Sequence, residues 1–371
     1  MQTILHIGMP KTGSTVLQDR LRGSRAALME RGLLYPRNPP GCPFNNHRLL
    51  LLGFTSHADL PRHIRKVKAY RPETLAADYA AFREQIAREV AEARPERLIL
   101  SSESLFRPLG GRARAALGET LAPYGPVTVA VYLRRPSAYY LSALQQNFKG
   151  SHTVAPPRAR TLLRVLNDYA AVFGVGALRP RIYDRGQLVA GDIAADFLAA
   201  HLPEAGLAAG DLVPARRSNE SLSAESMEIM RSYRATFHGE RDNENTRDSG
   251  RLVRILARLD AELKAPRPRL RPEIAEAIDY ARPDPLVLRD RWGLVFPGLD
   301  YDRLARVARR PLLPAAFGRL LRFGRPWRLE EIAYLDGDLR QEILARLARG
   351  RWARTPDRAA WIAGLQRGEA R

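Results

Sequence analysis

Thr3-Ile4-Leu5-His6-Ile7, then Gly8-Met9-Pro10-Lys11-Thr12-Gly13-Ser14-Thr15, then Val16-Leu17-Gln18 open the chain almost at its first residue. They read as a strand, a glycine-bounded loop with one lysine, and a helix. Such a loop is a cradle for phosphate. Its glycines let main-chain N–H groups approach an anion, and the helix N-terminus adds a partial positive charge. The loop G-x-x-x-x-G-K-[ST] of nucleotide triphosphatases carries its lysine after the second glycine. Here the glycines keep that spacing, but Lys11 precedes Gly13 by two residues and Ser14-Thr15 follow directly. The lysine therefore belongs to the crown of the loop and not to the first helical turn.

Outward from this unit, apolar strands alternate with helices. A strand over 3–8 leads into a helix over 15–30. Residues 36–48, with four prolines, are loop. The pattern then predicts a helix over 72–93, a buried strand Leu98–Ser102 ending at Glu103, and a strand Val127–Leu133. Arg134-Arg135-Pro136 closes that strand, and the proline suits the first turn of a helix reaching Phe148. A helix over 161–173, a fourth strand Pro180–Tyr183 and a helix over 192–202 follow. This alternation implies a parallel sheet covered on both faces, an α/β class. Helices are expected over 219–233, 251–263, 273–281, 301–309, 329–349 and 357–367. The reading is a domain over 1–235 and a helical C-terminal region over 236–371.

Composition sets the outer limits. The chain has 371 residues, one cysteine (Cys42) and a formal charge of +20. A lone cysteine excludes an internal disulfide, and no histidine or cysteine spacing matches a zinc site, so no metal is expected. No apolar run is long enough for a membrane span, and a strand starting at residue 3 leaves no room for a cleaved signal peptide. A cytoplasmic protein is expected, with peripheral membrane contact left open. The charge admits an acidic ligand. It also follows from a GC-rich coding sequence, because only five of the 60 basic residues are lysines. Against that background a lysine still stands on the crown of the loop.

A second signal is Val131-Tyr132-Leu133-Arg134-Arg135-Pro136, with Ser142 eight residues after Arg134. A strand delivers a guanidinium to the carboxyl edge of the sheet, where open α/β sheets bind ligands. Arginine forks match phosphate oxygens. Two phosphate elements on separate strand ends suggest a ligand with two separated phosphates.

Together these pieces resemble the bacterial members of the sulfotransferases that use 3′-phosphoadenosine 5′-phosphosulfate (PAPS), over about residues 1–235. Pro10-Lys11-Thr12-Gly13-Ser14-Thr15 looks like that family's 5′-phosphosulfate loop, and Arg134-x-Pro136-x5-Ser142 like its 3′-phosphate element. Arg181-Ile182-Tyr183-Asp184 with Asp196-Phe197-Leu198 resembles its later strand–turn–helix, and Arg216-Arg217-Ser218-Asn219 its basic loop over the nucleotide. The resemblance implies a P-loop-like three-layer fold. It also implies sulfuryl transfer from PAPS, an anionic nucleotide donor, to an acceptor hydroxyl on a saccharide or glycoconjugate, without a metal or nucleic acid. Two departures stand out: Val16 replaces the aromatic residue that often follows the loop, and Ser101-Ser102-Glu103 replaces the usual histidine base.

On this reading Lys11 steadies the charge leaving with the nucleotide phosphate. Pro10, Lys11, Thr12, Gly13, Ser14 and Thr15 form the loop. Arg134 and Ser142 take the 3′-phosphate, and Tyr183, Arg216 and Arg217 flank the nucleotide. Glu103, at a strand end, is the candidate base that takes the acceptor's proton. His47 is the competing base, and His152 a candidate for the acceptor side. Two rivals make different predictions: an ATP-using kinase on a P-loop fold, and a non-enzymatic polyanion binder driven by charge.

Overall fold

The computed structural model describes residues 1–42, 44–53, 55, 72–158, 160–215, 221–309 and 326–369. Its sheet has five parallel strands: β1 (Gln2–His6), β2 (Leu33–Leu34), β3 (Arg97–Ser101), β4 (Val127–Leu133) and β5 (Leu178–Ile182). Their order is β2-β3-β1-β4-β5. β1 thus lies between β3 and β4, with His6 opposite Ser101 on one side and Ala130 on the other. The chain leaves β1 toward β2 and β3 and then crosses to β4. The strand order reverses beside β1, which is where open sheets gather ligands.

The apolar runs that marked these strands are buried on both faces. Ile4, Ile99, Ala130 and Tyr132 share a core cluster with Leu17 and Leu21 of the helix Ser14–Gly23 and with Phe197 of the helix Ile193–His201. The alternating residues Leu5, Leu100, Val129 and Val131 are equally buried, and the helix Leu163–Phe173 packs along β4 and β5. Full burial on both faces is the mark of an all-parallel sheet. Pro180 lies on β5, which pairs only with β4, so its missing N–H costs no ladder bond on the open edge.

The strand expected over Pro180–Tyr183 is the fifth in chain order, because β2 is only two residues long and has no readable period. The helix expected over 15–30 is two helices, Ser14–Gly23 and Arg25–Met29, broken where Ser24 leaves helical backbone at φ −106° and ψ 19°. The Ser24 hydroxyl accepts from the N–H of Val213 at 2.8 Å.

Two compact units divide the chain, and the division does not follow chain order. The first holds Met1–Arg135, Arg160–Ser218 and Pro283–Ala305, and includes the whole sheet. The second holds Pro136–Ala159, Asn219–Arg282 and Arg306–Arg371. The boundary expected near 235 falls inside the helix Ala224–His238. The physical reason is the shared apolar face. Leu144 and Phe148 of the helix Pro136–Phe148 pack in one cluster with Met227, Met230, Leu252 and Leu256.

Within the first unit, Asp284 accepts from the N–H groups of Leu162 and Leu163, at 2.7 and 3.1 Å, and so tethers 283–305 to it. Within the second unit, the fully buried Arg234 donates to the carbonyls of Gly150 and Arg241 at 2.7 and 2.6 Å. The helix expected over 329–349 is a short turn, Leu329–Glu331, and a separate helix, Gly337–Arg349. Asp336 starts the latter by accepting from the N–H groups of Asp338 and Leu339, as an aspartate cap does.

Candidate functional site

β1 delivers the loop to the carboxyl edge of the sheet. Gly13 ends it at φ 76°, a left-handed conformation, and is the N-cap of the helix Ser14–Gly23. Having no side chain, it caps nothing, and the first turn contains no acidic residue. The leading N–H groups of a helix need an acceptor. Lys11 also has positive φ, 70°, which an L-residue adopts at a cost of about 1–2 kcal/mol. Such strain gathers at ligand clamps. Thr12 is buried and its hydroxyl donates to the Met9 carbonyl at 2.5 Å, folding the loop on itself. Pro10 and Lys11 are half-buried and Thr15 is exposed.

From the β4 side, Arg134 reaches the same loop. Its Nη1 donates to the Lys11 carbonyl at 2.9 Å, and its guanidinium stands 5.8 Å from the centre of the Tyr183 ring. Burial pushes this guanidinium below its ordinary value, opposed by Tyr183 and Asp184; an arginine stays charged through such a shift. Tyr183 follows β5, and its ring lies against Gly13, where an added Cβ would come within 3.1 Å of Tyr183 Cε2. The structure therefore brings together Lys11, Gly13, Arg134 and Tyr183, which are distant in sequence.

From the β3 side comes Glu103, half-buried in the turn Glu103–Leu105 that follows the strand. Arg48 is its electrostatic partner: burial lowers the Arg48 guanidinium and the charge of Glu103 opposes that. Arg48 itself donates to the Ser104 hydroxyl at 3.0 Å. The competing base, His47, is fully buried. Its Nδ1 accepts from the N–H of Ser101 at 3.0 Å, so its proton sits on Nε2, 3.0 Å from the Pro36 carbonyl. Both ring nitrogens are thus in use, and burial pushes the ring down to about 4. The expectation of His47 as a base meets a histidine that pins the 36–48 loop to the end of β3, with no nitrogen left for an acceptor's proton.

Sequence reasoning missed a buried polar line behind the loop. Gln18 donates to the Ser101 hydroxyl at 3.1 Å and Asn46 reaches the Gln18 carbonyl oxygen at 3.5 Å. The Ser101 hydroxyl lies 2.8 Å from His6 Nδ1. Four buried polar atoms of this line and its surroundings have no partner: His6 Nε2, Ser14 Oγ, Asn46 Oδ1 and Ser102 Oγ. Polar residues within an apolar strand and on an apolar helix face, His6 and Gln18, were the available signal.

Ser142 and His152 belong to the second unit. Ser142 is half-buried on the helix Pro136–Phe148, and His152 Nδ1 lies 3.2 Å from Asp242. Arg216 and Arg217 lie outside the described residues. Among the described residues no group of three or more His, Cys, Asp or Glu could hold a metal ion, and no helix is long and apolar enough to cross a membrane. Compared with protein-family models, curated proteins and solved structures, the chain matches none.

Proposed function

We propose that the chain is a PAPS-dependent sulfotransferase of P-loop-like fold, acting on an acceptor hydroxyl of a saccharide or glycoconjugate. One observation carries the reading. The loop after the central strand combines an uncapped helix N-terminus, a buried unpartnered Ser14 hydroxyl and a strained Lys11 whose carbonyl is braced by Arg134. These are donors prepared for a phosphate-like anion. The reversal of strand order beside β1 supports the same site.

In this reading Ser14, Thr15 and the first-turn N–H groups hold the 5′-phosphosulfate. Arg134 reaches the 3′-phosphate while keeping its bond to the loop, and the sequence resemblance adds Arg216 and Arg217. Glu103 takes the proton of the acceptor hydroxyl. The acceptor oxygen then bonds to sulfur as the bond from sulfur to the bridging phosphate oxygen breaks. Lys11 steadies the charge that builds on that oxygen, an electrostatic role.

The deciding experiment is calorimetric titration with 3′-phosphoadenosine 5′-phosphate, beside ATP with Mg²⁺, on wild type and Arg134→Ala. Tight binding of the bisphosphate alone, weakened in the variant, is the expected result. Preference for ATP would favour a kinase. Salt-sensitive binding of any polyanion, indifferent to Lys11 and Arg134, would favour a charge-driven binder.

A further inference from the structure

The proposed chemistry leaves His6 unused, yet it lies directly behind the loop. It is fully buried at the end of β1, between the rings of Tyr132 and Phe197, and burial, aided by His201, pushes it down to about 3. The ring is therefore neutral and carries one proton, on one of two nitrogens.

The polar line behind it decides which one. Gln18 presents its carbonyl oxygen to Asn46 and its amide N–H to the Ser101 hydroxyl oxygen. Ser101 has a single hydroxyl proton, and the acceptor for it is His6 Nδ1 at 2.8 Å. A nitrogen that accepts carries no proton. The proton of His6 thus sits on Nε2, the atom left without a partner.

Nε2 faces the loop. A Cβ placed on Gly8 would lie 2.9 Å from His6 Nε2 and 2.2 Å from Ser14 Oγ. The two unpartnered atoms therefore share one small space, separated by no more than the sum of those distances. Only a glycine at position 8 leaves that space open.

We propose that His6 is a positioning residue of the phosphate loop. Its Nε2–H donates to Ser14 Oγ, directly or through one water, so that the Ser14 hydroxyl proton turns outward to the bound anion. This rests on the reading of the loop as a phosphosulfate site, and it extends that site through Ser101 and Gln18 to Asn46. Without such a fixed donor behind it, the Ser14 hydroxyl can turn its proton inward and offer the anion a lone pair.

Two side chains separate the nitrogens of the ring. A glutamine amide reaches the place of Nε2, and an asparagine amide only that of Nδ1. With 3′-phosphoadenosine 5′-phosphate as probe, His6→Gln should bind within about threefold of wild type. His6→Asn should bind about tenfold or more weakly, the scale of one hydrogen bond to a charged group. Equal effects of the two, in either direction, would overturn the proposal. Nitrogen-15 NMR of the imidazoles in wild-type protein tests it without any variant: a neutral ring protonated on Nε2 is expected, and a proton on Nδ1 overturns it. If wild type fails to bind the bisphosphate, the sulfotransferase reading falls, and the same variants titrated with inorganic pyrophosphate decide the role of His6. Failure to bind either probe overturns both.

Discussion

Arg134 Nη1 donates to the main-chain carbonyl of Lys11 at 2.9 Å, a bond that spans the gap between the ends of β4 and β1. A side chain proposed to bind phosphate also holds the loop proposed to bind it. The consequence is that Arg134 and Lys11 act as one unit, and their effects should not add. Arg134→Lys keeps the charge but loses the planar fork. Titration with 3′-phosphoadenosine 5′-phosphate should show a loss of about 1.5–3 kcal/mol, the value of a charged hydrogen bond. The double variant with Lys11→Ala should lose less than the two singles combined.

Lys11 sets function against stability. At φ 70° a glycine removes the backbone penalty. Lys11→Gly should therefore melt higher than Lys11→Ala, by about 1 kcal/mol in chemical denaturation. Both should lose about 10²–10³ in kcat, the scale of removing an aimed charge-stabilising group. A variant of undiminished rate would remove Lys11 from the mechanism.

Glu103→Gln keeps the shape of the side chain and removes its basicity. A loss of about 10²–10⁴ in kcat is expected, with donor affinity unchanged. Full activity would leave Glu103 as a structural partner of Arg48.

Gly8→Ala tests the close packing behind the loop. The new methyl would lie 2.2 Å from Ser14 Oγ and 2.7 Å from His6 Cε1, with a fully buried strand end on one side. Overpacking of this kind costs about 1–3 kcal/mol. Urea unfolding should show that loss, together with weakened binding of the bisphosphate. Gly111→Ala, at the start of a helix where no atom lies within 4 Å of the new methyl and the backbone is not left-handed, controls for packing.

The buried histidines give the protein an acid limit. In the folded state His6 and His47 are pushed down to about 3 and about 4 from 6.5. Below pH 6.5 the unfolded chain takes up protons that the folded chain refuses. Stability is therefore full above about pH 6.5 and declines as the pH falls toward 4. Each histidine contributes about 1.4 kcal/mol per pH unit once well below 6.5. Denaturation midpoints between pH 7.5 and 5 check this, and His47→Gln should flatten the slope while lowering stability at pH 7.5. A slope unchanged by that substitution would locate the acid sensitivity elsewhere.

The amino-acid sequence on its own determined the local elements. Val127–Leu133 reads as a strand from its apolar, β-branched run and is one over the same residues. Gly13 reads as a glycine of the loop that precedes the helix and has the left-handed backbone that only glycine adopts cheaply. These signals are local, carried by φ preference and by the period of burial, so neighbouring residues suffice to express them. Tertiary structure decided the rest. Leu33–Leu34 becomes a strand only because β3 offers it a partner. His47 resembles a free base in sequence and is spent on Ser101 and Pro36. Gln18, Ser101 and His6 form one line although 83 and 95 residues separate their pairs. The helix Pro136–Phe148 belongs to the second unit, although the strand Val127–Leu133 just before it belongs to the first. Which buried polar atom meets which, and which apolar faces share a core, depends on contacts between distant segments, and no local period of the chain records them.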